Sequence, residues 1–220
     1  MRKYLILALT ILGCFGAHAQ QIEFGLRDNQ FIRADFIGAI ANNEYHAYIM
    51  GWEQSLLNVK MKEQSGRIFA GYRYTKSNFL AKAIIYGGTE YDRRWQVFGT
   101  LLNGLYRWNY FGVGASLNPN YDTNLGFQLN YDIETSITVL KESIVSFGLQ
   151  QVEVTASFGN IPEYRDNIQN MRVGLKFTSG NLWVHPEVCI PGFGDKDRTS
   201  NRIRVLCNMG WNFKFKNRNR

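Results

Sequence analysis

The sequence has no apolar run long enough to cross a membrane as a helix. Residues 4–15 form its most apolar stretch, and nothing after them reaches the roughly twenty consecutive apolar residues that a crossing helix needs. An inner-membrane helical protein is thereby excluded. Histidine and cysteine are scarce, three of each in 220 residues, and one of each, His18 and Cys14, lies within the first twenty. Acid–base chemistry therefore has only His46 and His185 to draw on, and disulfide chemistry only Cys189 and Cys207. Linkers, low-complexity segments and repeats at solenoid spacing are also missing, so one domain is expected.

What is present begins with a leader. Arg2-Lys3, an apolar run and the small-residue site Ala17-His18-Ala19 have the three-part layout of a secretory signal, which predicts a signal peptide over 1–19 and a mature domain over 20–220. A second reading takes Ile11-Leu12-Gly13-Cys14 as a lipoprotein processing box with Cys14 acylated; the Ala-x-Ala site just beyond it and the lack of a polar tether after it favour cleavage. The formal charge of +7 falls to +5 on cleavage, because Arg2 and Lys3 leave and residues 1–20 contain no acid. Export removes nucleic acid as a partner for this basic chain, leaving anionic head groups or acidic solutes.

Dyad alternation follows the leader. Ile203, Val205, Cys207, Met209, Trp211, Phe213 and Phe215 fall on one parity, and Arg202, Arg204, Asn208, Asn212 and Lys214 on the other. A strand of this kind stands between an oily and a wet environment. Similar patterns predict strands near 44–56, 66–74, 79–87, 94–106, 110–117, 123–135, 144–158, 169–178, 181–191 and 202–215. Segments 22–28 and 30–41 also alternate, and counting them gives about twelve strands, with ten as the alternative; both counts are even, as termini on one side require. A turn near 140–143 and a bulge near 150 account for the weak pattern of 136–147. Terse turns at 75–78 and Ser179-Gly180 alternate with longer polar loops at 88–93, 159–168 and 192–201. A two-residue turn at Ser179-Gly180 would pair Thr178 with Asn181, Arg172 with Glu187 and Gly174 with His185. If Cys189 then pairs with Arg202, a ladder of Arg172, Glu187 and Arg204 forms. Cys189 shares the face of His185 and Glu187 whereas Cys207 shares that of Val205 and Met209, so no disulfide is expected.

In its signal, its alternation and its short-long connections the chain resembles bacterial outer-membrane β-barrel proteins, at the level of the class. The resemblance implies an all-β fold, a transmembrane antiparallel up-and-down barrel in the outer membrane of a Gram-negative cell. Tyr72, Tyr74, Trp95, Tyr106, Trp108, Tyr110, Tyr121, Trp183 and Trp211 stand where such barrels carry aromatic girdles. One departure is the end of the chain, where Phe215 is followed by Lys216-Asn217-Arg218-Asn219-Arg220 in place of a terminal aromatic residue.

Candidate chemistry is thin. His185-Pro186-Glu187 puts an imidazole and a carboxylate on one face, as a general base and its orienting acid would be, but no serine stands beside His185 in the expected register; a polar interior contact is the blander alternative. Residues 195–201 carry oxygen ligands at alternate positions, yet Ser200 and Leu206 replace the glycine and acid of a calcium loop, and Lys196, Arg198 and Arg202 repel a cation. Gly112-Val113-Gly114 opens no helix and so is no phosphate loop. No metal or other cofactor is expected.

The inward parity is richer. Arg33, Asp35, Arg67, Arg73, Lys82, Arg94, Gln96, Gln128, Asn130, Asp132, Glu134, Glu153, Arg172, Lys176, Glu187, Arg202 and Arg204 fall on it, with His185. The lumen-lining set singled out is Arg33, Arg73, Arg94, Arg172, Lys176, His185, Glu187, Arg202 and Arg204. Its members either neutralise one another in a narrow filled lumen or line a water path with surplus cations. The reading is a barrel without enzymatic activity, acting as a narrow anion-favouring channel. In size and basic interior it is similar to small twelve-stranded porins for acidic sugars. A closed barrel displaying 88–93, 118–122, 159–168 and 192–201 for binding is the first alternative, and a lipid-modifying enzyme using His185 or His46 the second. The expected partners are outer-membrane lipid and lipopolysaccharide, small anionic solutes, and the outer-membrane assembly machinery during insertion. Terminal sequencing of the mature protein checks the leader: it should begin at Gln20, and fatty-acid labelling that depends on Cys14 would show lipoprotein processing instead.

Overall fold

Alternation of this kind leaves each strand one apolar and one polar face, and it drives the segments into a single closed sheet. The computed structural model describes residues 21–27, 31–40, 43–55, 66–89, 96–123, 126–140, 149–160, 169–191 and 203–214. Twelve strands run through them: β1 (Gln21–Arg27), β2 (Phe31–Ile40), β3 (Asn43–Ser55), β4 (Gly66–Lys76), β5 (Phe79–Thr89), β6 (Gln96–Trp108), β7 (Phe111–Asp122), β8 (Gly126–Leu140), β9 (Gln151–Asn160), β10 (Gln169–Ser179), β11 (Leu182–Pro191) and β12 (Arg204–Lys214). Each pairs antiparallel with its sequence neighbours, and β1 pairs with β12 to close the barrel. Twelve strands, with 21–27 and 31–40 both included, is the larger of the two expected counts.

Strand β7 shows the division of faces. Phe111, Val113, Ala115, Leu117 and Tyr121 are exposed on the outside, while Gly112, Gly114, Asn118, Asn120 and Asp122 are buried inside. Ile68, Ile85, Phe98, Phe127, Val139 and Val205 extend the apolar exterior around the barrel. A closed barrel with an apolar outside satisfies every interior backbone group and offers hydrocarbon a matching surface. Aromatic side chains gather at the strand ends, as where Tyr106, Trp108 and Phe111 flank the turn at Asn109-Tyr110, with ring centroids 5.4 Å and 6.4 Å apart. His46 joins the same exterior band through a hydrogen bond to Tyr72 and a ring contact with Tyr74.

Five expectations need correction. Residues 118–122 are not a loop but the end of β7, paired with β8 from Asn118↔Asn130 to Asp122↔Gly126. Strand β6 has the reverse of its expected parity: buried Val97 and the inward Arg107 lie on odd positions, and Gln96 is exposed on the parity of the lipid-facing Phe98. The turn between β10 and β11 uses Gly180-Asn181, with Gly180 at φ 56° in the first central position, where a II′ turn takes glycine. That choice slips the register by two residues, so Thr178 lies opposite Trp183, Gly174 opposite Glu187, Arg172 opposite Cys189, and Cys189 opposite Arg204. A slip of two preserves every face, but the opposed Arg172–Glu187–Arg204 ladder is not formed. Trp183 points into the lumen and is no girdle residue. The irregularity expected near 150 is a register shift on β8, between Thr138 and Leu140.

Cys189 faces in and Cys207 out, and neither is in a disulfide. The leader 1–19, Arg94, Trp95, residues 141–143 of the expected turn, the 195–201 segment, Arg202 and the tail from Phe215 lie outside the described residues, and Leu140 is the last residue of β8. Gly88 and Thr89 belong to β5, and Gly159 and Asn160 to β9; the rest of those two loops lies outside the described residues as well.

The two-residue turns at 77–78, 109–110 and 180–181 all lie at one end of the barrel, with the start of β1 and the end of β12. Short turns mark the periplasmic end of such barrels. A tag inserted at 180–181 should therefore be shielded on intact cells and one at 195–198 accessible to antibody; the opposite pattern would invert the topology.

Candidate functional site in the barrel lumen

With parity fixed, the interior can be populated strand by strand. Its bases are Arg33, Arg67, Arg73, Lys82, Arg107, Arg172, Lys176, Arg204 and, at the end of β12, Lys214, and its acids Glu23, Asp35, Glu53, Asp122, Asp132, Glu134, Glu153 and Glu187. Among the described residues nine bases stand against eight acids, so the surplus of cations in number is only one. The larger difference lies in exposure. Asp35, Glu53, Asp122, Glu153 and Glu187 are buried and Glu23, Asp132 and Glu134 half-buried, whereas none of the bases is fully buried and Lys214 is exposed.

Three ion pairs show how the arrangement works. Arg33 binds Asp35 two residues away at 2.7 Å, its side chain 29% exposed against 12% for the acid, and its guanidinium lies over the Phe69 ring at 4.5 Å. Arg107 reaches from β6 across β7 and β8 to Glu153 on β9 at 3.2 Å, and here the contrast is largest, 42% against 4%. The reach is possible because Arg107 is opposite Gly112, and Gly112 opposite Ser136, so no bulky side chain stands between. Arg172 binds Asp132 at 2.6 Å with the contrast absent, 20% against 25%.

A second cluster surrounds His185. Thr155 Oγ1 lies 2.7 Å from His185 Nε2, Glu187 lies 3.7 Å from the same nitrogen, and Asn208 donates to Glu187 at 2.8 Å. Gly174 makes the space: a Cβ there would fall 2.7 Å from Glu187 Cγ and 2.9 Å from His185 Nε2. Thr155 and Glu187 approach one nitrogen, whereas a nucleophile–base–acid relay needs them on opposite nitrogens of the ring. The arrangement is a hydrogen-bonded polar wall.

The opposite wall is apolar. Ile37, Ala47, Ile49, Phe69 and Ile84 pack together inside β2–β5, with Tyr86 and Leu101 against them, and Ile49 is 1% exposed. The lumen is thus partly filled along one side and polar along the other, where Asn118, Asn120, Asn130, Ser136 and Ser157 are also buried.

Of the expected lining set, Arg33, Arg73, Arg172, Lys176, His185, Glu187 and Arg204 face the lumen; Arg94 and Arg202 lie outside the described residues. Arg107, Thr155 and Asn208 were not foreseen. The inward glycines Gly112 and Gly174 are the signal that could have found the first two, since each leaves a gap that side chains two strands apart can bridge.

No family model matches the sequence, and no curated protein does. Solved structures do match. One chain, from work on the mechanism of in-meso crystallization of membrane proteins, has a TM-score of 0.55 at 13% identity over 90% of this chain and 84% of that one. KdgM porin in complex with disordered oligogalacturonate gives 0.49 at 12% over 89% and 98%. LpxR from Salmonella typhimurium gives 0.43 at 10% over 96% of each chain. At these identities the likeness is one of fold, that of a closed antiparallel β-barrel.

The packing at Gly174 generates a contrast. Gly174→Ala should destabilise the barrel by about 1–3 kcal/mol through overpacking against Glu187 and the Pro186 carbonyl. Gly104→Ala, on the outside with nothing within 4 Å of its Cβ, should stay within about 0.5 kcal/mol of wild type. Urea midpoints of gel-monitored unfolding report both.

Proposed function

We propose that the chain, exported through its cleaved leader, is a narrow solute channel of the outer membrane that favours anions, without enzymatic activity. The observation that carries this reading is the difference in exposure between interior bases and the acids they bind. A charge buried at the wall fixes its partner, but the water in a lumen feels most strongly the groups that reach into it. Arg33 and Arg107 are both more exposed than the acids they bind. Small anionic solutes are the cargo this favours. Lipid and lipopolysaccharide meet the apolar outside, and the assembly machinery meets the strands during insertion.

A closed barrel that acts through its outer loops is the second reading, and the apolar packing of Ile37, Ile49, Phe69 and Ile84 inside the lumen favours it. A lipid-modifying enzyme finds less support, because the Thr155–His185–Glu187 contacts converge on one nitrogen. Reversal potentials of refolded protein in planar bilayers separate the readings. Anion preference should appear at low salt and weaken as the Debye length shrinks from about 10 Å at 0.1 M to about 3 Å at 1 M. Arg107→Gln with Arg172→Gln should reduce it. Cation preference, or silence from correctly folded barrel, would remove the channel reading.

A further inference from the structure

Trp183 is the second residue of β11, just above the 180–181 turn, and its side chain enters the lumen. It lies opposite Gly210 on β12, which in turn lies opposite Gly25 on β1. Two adjoining glycines give the wall a flat floor there, and the indole rests on it: a Cβ at Gly210 would fall 2.7 Å from Trp183 Cε2 and Nε1 and 2.8 Å from Cζ2. The ring is held at both sides. Its Nε1–H donates to Glu23 Oε1 on β1 at 3.3 Å, and Lys176 Nζ from β10 stands 5.3 Å from its centroid. The ring thus covers β12, and its bond to Glu23 completes a link from β11 to β1 across the seam where the first and last strands meet.

The contacts continue around the same end. Lys176 lies opposite Glu153, and Glu153 holds Arg107 from β6. Arg107, Glu153, Lys176, Trp183 and Glu23 therefore form a belt inside the periplasmic mouth that runs from β6 to β1. Cross-strand filling of a glycine by an aromatic ring would need only the Gly210 contact. The indole donor bond to Glu23 and the ammonium above the ring fix the orientation as well as the position.

We infer that Trp183 is the constriction element of the periplasmic mouth, an aromatic bar whose distance from the Gly25–Gly210 floor sets the width of the passage. This rests on the channel reading. It also predicts that two substitutions at one contact act in opposite directions. Trp183→Ala removes the bar, and conductance should rise by about twofold or more, since an apolar constriction limits flow. Gly210→Ala pushes the ring off its floor toward the axis, and conductance should fall. A ring that served only to stabilise the seam would lower folding yield in both variants and leave the conductance of folded channels unchanged.

The test is single-channel recording from full-length, refolded wild type, Trp183→Ala and Gly210→Ala, each gated on heat-modifiable folded barrel. Opposite shifts support the inference, as does a silent wild type beside a conducting Trp183→Ala. Wild-type conductance in Trp183→Ala overturns the constriction while leaving the channel reading standing. Silence from wild type and Trp183→Ala alike overturns both. If Trp183→Ala does not fold, Trp183→Phe, which keeps a smaller ring without the Nε1–H donor, must still raise conductance; unchanged conductance in it overturns the inference.

Discussion

Closure is the constraint on which the rest of the molecule depends. Backbone groups in hydrocarbon have no water to bond, so the first strand must find the last, and β1 does so with β12 from Gln21↔Lys214 to Leu26↔Met209. Once closed, a twelve-stranded wall encloses a space that side chains can nearly fill. Every inward position then becomes a packing decision. Glycine and small polar residues at one point decide which long side chain can lie across it.

One cross-strand row makes this concrete. Arg107, Gly112, Ser136, Thr155, Gly174 and Glu187 are successive partners from β6 to β11. Its small members leave a shallow trench in the wall. Arg107 crosses one end of it to reach Glu153, and His185 leans over the other to reach Thr155. Glu153 and Glu187 are buried in this relief and Arg107 is more exposed, because a short carboxylate stays near its Cα while an arginine must extend to find it. Nearly equal numbers of both signs can therefore present unequal charge to the water between them.

Strand identity, count and most faces were legible in the sequence, because a strand between lipid and lumen alternates, as β12 does from Cys207 to Phe213. Register was less so. Ser179-Gly180-Asn181 accommodates a two-residue turn in two places, and only the positive φ at Gly180 decides between them. The face of β6 was misread because Gln96, a polar residue, opens that strand at the loop end of the barrel, where an outward position need not be apolar. The neighbours of His185 could not be read at all: Thr155 belongs to a strand two removed, and its approach depends on the gap at Gly174. Contacts that skip a strand are set by shear and by missing side chains, neither of which leaves a periodic trace.

The central claim is that water in the lumen meets more positive than negative charge. It is tested most directly by the rate at which a lumen thiol reacts with charged reagents. Asn103 faces in and is half-buried, so Asn103→Cys in a background with Cys189→Ala and Cys207→Ala gives one reporter inside the barrel. Negatively charged methanethiosulfonate should modify it faster than the positively charged analogue of similar size, with the difference shrinking as salt is raised. Faster reaction with the cationic reagent, or equal rates at low salt, would contradict the account.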